Sequence, residues 1–85
     1  MNYAVVWTQQ AEDDLAAEWL AAADRNAVTA ASDALDRALA GDPYSLGIPI
    51  GTRQTRTASE PPLALDYEVI EDDKKVRVLR VWAVL

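Results

Sequence analysis

Near Arg53 the sequence changes period. Before it, two stretches repeat apolar residues at helical spacing; after it, apolar and polar residues alternate as they do along half-buried strands. In a chain of 85 residues that order leaves room for one core, so residues 1–85 are expected to form one domain with helices laid on a sheet. Each element follows from its own residues. Tyr3 to Trp7 (Tyr-Ala-Val-Val-Trp) is a run of strand formers, and Thr8 behind it can accept an early backbone N–H and cap a helix. From Gln9 to about Ala23 the stripe is Ala11, Leu15, Trp19 and Ala22, with Glu12, Asp13 and Asp14 where the helix dipole favours anions.

Asp24-Arg25-Asn26 interrupts that helix, and Asn26 reads as the cap of a second one. Its stripe is Val28, Ala31, Leu35, Ala38 and Leu39, ending at Gly41 with Pro43 beyond. The many alanines favour helix and close approach, so an antiparallel helical hairpin is predicted, with Trp7 and Trp19 in the core. Tyr44 to Thr52, with Gly47, Pro49 and Gly51, reads as an ordered loop over apolar surface. Arg53 to Ser59 reads as a short edge strand stopped by Glu60-Pro61-Pro62.

Leu63, Leu65, Tyr67 and Val69 alternate with Ala64, Asp66 and Glu68, and Glu71 to Lys75 supplies a polar turn before the last strand, which predicts a hairpin. Tyr67 falls on its core side, where packing is the expected role. The last strand holds two phases, since Val76 and Val78 face inward on even numbers and Leu79 and Val81 on odd ones. Two registers fit. A turn at Asp72-Asp73 with a bulge near Leu79-Arg80 sets Glu68 opposite Arg77 and Leu65 opposite Val81; a longer loop without a bulge sets Asp66 opposite Arg80.

Composition narrows the chemistry. The chain has no cysteine and no histidine, which removes thiolate nucleophiles, imidazole bases and cysteine-ligated zinc. The acids Glu12, Asp13, Asp14 and Glu18 read as a solvated helix start, so neither a metal nor a cofactor is expected. Of the net charge of −6, all sits in residues 1–43, where eight acids face Arg25 and Arg37; residues 44–85 balance six acids with six bases. Unaided binding of nucleic acid is therefore not expected, because it relies on counterion release at a basic face. Arg53, Arg56, Arg77 and Arg80, in the neutral half, form a candidate target- or phosphate-binding patch, or else pair with Glu60, Asp66 and Glu68. No apolar run is long enough to span a bilayer and no leader pattern opens the chain, so the expected place is the cytoplasm and no membrane partner is expected.

The segments Tyr3-Ala-Val-Val-Trp-Thr, Ala11 to Leu15, Pro62 to Ile70 and Lys75-Val-Arg-Val-Leu-Arg-Val-Trp82 together resemble the RelE/ParE toxin superfamily of type II toxin–antitoxin modules. The resemblance implies an α+β, two-layer fold in the order β-α-α-β-β-β, with the helical hairpin packed on one face of an antiparallel sheet. It also implies a toxin neutralised by a cognate antitoxin. RelE-like members cut mRNA on the ribosome with basic and tyrosine side chains on the sheet, whereas ParE-like members inhibit DNA gyrase without them. Here the position of the usual catalytic Arg, three residues before Tyr67, is Ala64, and the end Val81-Trp-Ala-Val-Leu85 matches neither the second Arg nor the terminal Tyr of the nucleases. Ribosome-dependent RNA cleavage would have to use Arg53, Arg56, Arg77 or Arg80 instead; a silent interaction module on the same fold is the other alternative. Trp82 and Leu85, at the end of an apparently apolar open sheet face, are candidate antitoxin anchors. The acidic helices would attract basic residues of such a partner.

Overall fold

The computed structural model describes residues 2–84. Strand β1 (Ala4–Trp7) leads to helices α1 (Gln9–Ala21) and α2 (Arg25–Gly41), then to β2 (Ile48–Ile50), β3 (Thr52–Glu60), β4 (Leu63–Ile70) and β5 (Lys75–Ala83). The five strands form one sheet in the order β1-β5-β4-β3-β2, and the helices cover one of its faces. Among the described residues no helix is long and apolar enough to cross a membrane.

Local chemistry explains the helices. Thr8 caps α1 by accepting the N–H of Ala11, as its position after the strand predicts. The α2 cap is Asp24, not Asn26: its carboxylate accepts the N–H of Ala27, and the helix starts two residues earlier than the asparagine would allow. The first helix also stops short of Ala23, at Ala21. Arg25 supports the stop: its guanidinium donates to the carbonyl of Leu20 and to that of Trp19, which also accepts the Ala22 N–H, and it stacks 4.7 Å from the Trp19 ring centre.

The core lies between α2 and the sheet. Val28, Ala31, Leu35 and Leu39 of α2 are buried against Leu63, Leu65, Tyr67 and Val69 of β4 and Val76, Val78 and Val81 of β5. From α1 only Ala11 is fully buried, with Leu15 packed at the margin. Helix α1 instead guards a strand edge. Strand β1 pairs with β5 only as far as Trp7 beside Val78. Beyond that point the Thr8 hydroxyl donates to Val78 O at 2.8 Å, and the Asp14 carboxylate accepts the N–H of Val81 at 3.1 Å. These contacts satisfy backbone groups that would otherwise invite another strand.

Three further features differ from the sequence expectation. The sheet is mixed, because β1 pairs parallel to β5 while the other pairs are antiparallel. The segment read as loop contains β2, which covers part of β3, so β3 is not a bare edge. Trp19 is 39% exposed and outside the core, whereas Trp7 packs on it with its indole N–H given to Asp36 at 3.0 Å.

The β4–β5 register is the bulged one. Glu68 pairs with Arg77 and Tyr67 with Val78, the ladder shifts between Asp66 and Tyr67, and Leu65 then faces Val81. One extra residue at Leu79 reconciles the two phases of the last strand, and the same shift sets Asp66 opposite Arg80. The loop-without-bulge register is excluded, yet the pair it offered is formed.

Candidate interaction surfaces

The four arginines do not share one surface. Arg56 lies opposite Tyr67, on the helix-covered side, and is 8% exposed. Its guanidinium donates to the carbonyls of Tyr44, Leu46, Gly47 and Arg53 at 3.2–3.3 Å. Beside it the buried Tyr67 hydroxyl reaches Pro43 O at 2.6 Å and Leu46 O at 2.8 Å. Burial raises the Tyr67 pKa, against a smaller opposing effect of the Arg56 cation. Together the two side chains clamp residues 43–47 as a strap over the β3 end of the core. Gly47 belongs to that closure: its φ is +67°, and a Cβ there would stand 2.1 Å from Thr57 O. The expectation of Arg56 in a solvent-facing patch is thus replaced by a buried ion whose donors are held by backbone. Arg53 stays outside, stacked 4.6 Å from the Tyr44 ring centre.

Arg77 and Arg80 occupy the opposite, open face. Arg77 forms an ion pair with Glu68, and Arg80 binds the Asp66 carboxylate at 2.7 and 3.2 Å. The Asp66 hydrogen bond and charge hold the Arg80 pKa up. Asp66 is buried, with Arg80 folded over it and over the Trp82 ring, 5.7 Å from its centre. Trp82 stands opposite Ala64. Ser59, Thr57 and Thr55 continue the face across β3 opposite Ala64, Asp66 and Glu68. The open face is therefore polar and internally charge-paired. The apolar, sticky sheet face expected from the sequence is not there, because alternation sends its valines and leucines under the helices. Leu85 lies outside the described residues.

A third cluster closes the β4–β5 turn. Glu71 accepts from the Tyr3 hydroxyl at 2.9 Å and pairs with Lys74, which sits over the Tyr3 ring. The Lys74 hydrogen bond, then that of Tyr3, holds the Glu71 carboxyl below its ordinary value. Desolvation first, and the Glu71 hydrogen bond next, raises the Tyr3 pKa, so neither tyrosine nor acid is poised for proton transfer near neutrality.

An apolar surface lies elsewhere. Between α1, α2 and the outer side of β1 runs an open groove of about 930 Å³. Val5, Trp7, Leu15 and Val28 form its floor, and Trp19 and Leu20 its wall. Leu20 is 65% exposed, the adjoining Val6 of β1 is exposed too, and Glu12, Asp33 and Asp36 stand along the groove. Sequence reasoning missed this site. The signal was present in Leu20, an apolar residue beside Trp19 that falls off the Ala11–Leu15–Ala22 stripe and so has no core to enter.

No protein-family model matches the sequence, and no match was found among the curated proteins. Solved structures do match. A chain of the toxin–antitoxin complex RelBE2 from Mycobacterium tuberculosis superposes with a TM-score of 0.81 at 22% identity, over 99% of this chain and 93% of that one. The fold is that of the RelE/ParE toxins. A chain of the chromosomal ParDE system of P. aeruginosa matches at TM-score 0.72 and 18% identity, over 98% and 97% of the two chains. The E. coli toxin RelE, as an arginine-substituted mutant in the free state, matches at 0.72 and 16%, over 98% and 84%. The RelE/ParE-like architecture therefore spans the described chain from end to end, with the helical hairpin on one face of the sheet as the resemblance implies.

Proposed function

We propose that this chain is the toxin of a type II toxin–antitoxin module, neutralised by a cognate antitoxin, and that it acts by holding a protein target and not by cutting RNA. The toxin part of the reading is supported by the near full-length likeness to chains of RelBE2, ParDE and RelE. The mode of action is carried by one observation: each open-face arginine already has a carboxylate opposite it, Arg77 with Glu68 and Arg80 with Asp66. Cleavage by the 2′-hydroxyl needs cationic donors free to meet the charge that grows on the phosphate, in a site the substrate can enter. A face whose cations are neutralised at contact distance offers little field to a polyanion. Ala64 leaves the centre of the face without a cation. A gyrase-like protein target suits these features better than ribosome-bound mRNA.

The test is tightly controlled induction of this chain alone and together with the product of the neighbouring reading frame, following growth and amino-acid incorporation. The expected result is arrest with incorporation initially intact, relieved by the neighbour. A prompt fall in incorporation with fragmented mRNA would replace target binding by RNA cleavage; absence of arrest would leave an interaction module and overturn the toxin reading.

A further inference from the structure

The two outer strands of the sheet carry opposite surfaces. Beyond the strap, the arm made by β2 and the start of β3 exposes Ile48 and Ile50 beside Arg53, and no residue of β2 is buried. Residues 43–59 contain two bases, Arg53 and Arg56, and no acid, whereas all fourteen acids lie in the rest of the chain. Arg56 is turned inward onto backbone carbonyls, so Arg53 is the cation that this arm presents, and among the described residues it pairs with no carboxylate. At the other outer strand, the groove beside β1 sets Trp19 and Leu20 above an apolar floor, with Glu12 and Asp33 outside every ion pair of the described residues. Four strand spacings, about 19 Å, separate β1 from β2, so the arm does not reach the groove of its own chain. The groove of a second copy is open to it.

From this complementarity we infer that the chain associates head to tail with a second copy of itself, the β2–β3 arm of one protomer seated in the α1–α2–β1 groove of the next. Ile48 and Ile50 then cover the apolar wall of the groove, and Arg53 meets Glu12 or Asp33. Electrostatics selects this arrangement over a symmetric one. Two grooves face to face would bring unpaired acids together, and two arms would bring their arginines together. Strand-to-strand pairing through β2 is opposed by Pro49, which has no N–H for a ladder and sits in the middle of a three-residue strand. The contact is heterologous, so each new protomer brings a free arm or a free groove, and assemblies grow with concentration unless a ring closes. Two isoleucines and one charge pair make a small contact, with an expected dissociation constant of about 100 μM. The inference goes beyond the toxin reading and does not rest on it.

The experiment is analytical ultracentrifugation of the full chain from about 10 μM to about 1 mM. The wild-type mass is expected to rise with concentration. Ile48→Glu, which spoils the arm, and Leu20→Glu, which spoils the groove, are each expected to stay monomeric. An equimolar mixture of the two should associate again but stop at dimers, because it supplies one intact groove and one intact arm. Arg53→Glu should weaken wild-type association about tenfold, by setting a carboxylate against Glu12 and Asp33. Ile48 and Leu20 are both 65% exposed and Arg53 is exposed too; circular dichroism checks that each variant folds, and Ile48→Ser and Leu20→Ser replace any glutamate variant that does not. A wild-type chain that stays monomeric throughout, a mixture that stays monomeric, or an Arg53→Glu variant that associates undiminished would overturn the inference. Loss of association in only one of the two glutamate variants would put a symmetric contact in place of the head-to-tail one and overturn it equally. Growth is not part of this readout, so a failed interface and a failed toxin reading are told apart.

Discussion

The two edges of the sheet end the same core in opposite ways. At the β3–β2 end the strap of residues 43–47 is sewn down by Arg56, which donates to four backbone carbonyls, and by the single Tyr67 hydroxyl proton, which lies between the Pro43 and Leu46 carbonyls. At the β1 edge the helices stand apart, and Val6, Trp19 and Leu20 remain exposed with acids beside them that have no cation. Buried polar groups stabilise a fold only when they are satisfied, so the first edge is where stability should be concentrated. Exposed apolar surface contributes nothing until something covers it. The second edge is where binding should be concentrated.

Substitutions should separate the two. The largest effect is expected for Arg56→Ala, which strips a buried cation from four carbonyls and should cost about 3 kcal/mol in chemical denaturation. A loss no larger than that of a surface residue would mean that the strap is not held as described. Gly47→Ala follows, at roughly 2 kcal/mol or more, because a left-handed φ and the Thr57 carbonyl both oppose a side chain. Tyr67→Phe should cost about 1–2 kcal/mol by leaving the Pro43 carbonyl short of a donor, while the Leu46 carbonyl keeps the Arg56 N–H. The same hydroxyl gives an alkaline signature. Its pKa is higher folded than unfolded, so its contribution is complete below the ordinary value of 10.0 and is lost as pH rises through the folded value. Above pH 10 wild type should therefore lose stability more steeply than the phenylalanine variant.

At the other edge Leu20→Glu should leave the denaturation midpoint nearly unchanged, within about 0.5 kcal/mol. A large destabilisation there would show that the groove wall belongs to the core after all. The smallest effect belongs to the turn cluster. Lys74 and Tyr3 lower the Glu71 pKa, so its contribution is present above the ordinary carboxylate value of 4.5 and disappears as pH falls through the lower folded value. Glu71→Gln should flatten only that acid limb of the stability profile, and an unchanged limb would remove the cluster from the account.

Local signals were legible because the residues that make them are neighbours in sequence. Thr8 as a cap, the α2 stripe and the bulge implied by Val76, Val78 and Val81 all follow from spacing within one or two turns. What stayed hidden depends on distant partners. Strand β2 holds Pro49 between glycines and reads as loop until β3 lies beside it. The parallel β1–β5 pair joins residues about seventy positions apart, beyond any periodicity. An arginine at an alternating position looks like surface, and only the strap's carbonyls make Arg56 buried. The cross-strand pairs of Arg77 with Glu68 and Arg80 with Asp66 were legible as one of the two readings of these charges, and the register selects it.

Growth arrest by the Arg77→Ala/Arg80→Ala variant is the most direct test of the central claim. Arg77 is an exposed surface partner, but Arg80→Ala leaves the buried Asp66 carboxylate without its cation, so the variant should lose about 2 kcal/mol of stability and its growth effect is read once circular dichroism shows that it folds. If the chain acts by holding a protein through surfaces that these arginines do not build, induction of the variant should arrest growth as the wild type does. A folded variant that no longer arrests growth, with mRNA cleavage lost in parallel, would contradict the account and return the open face to phosphodiester chemistry.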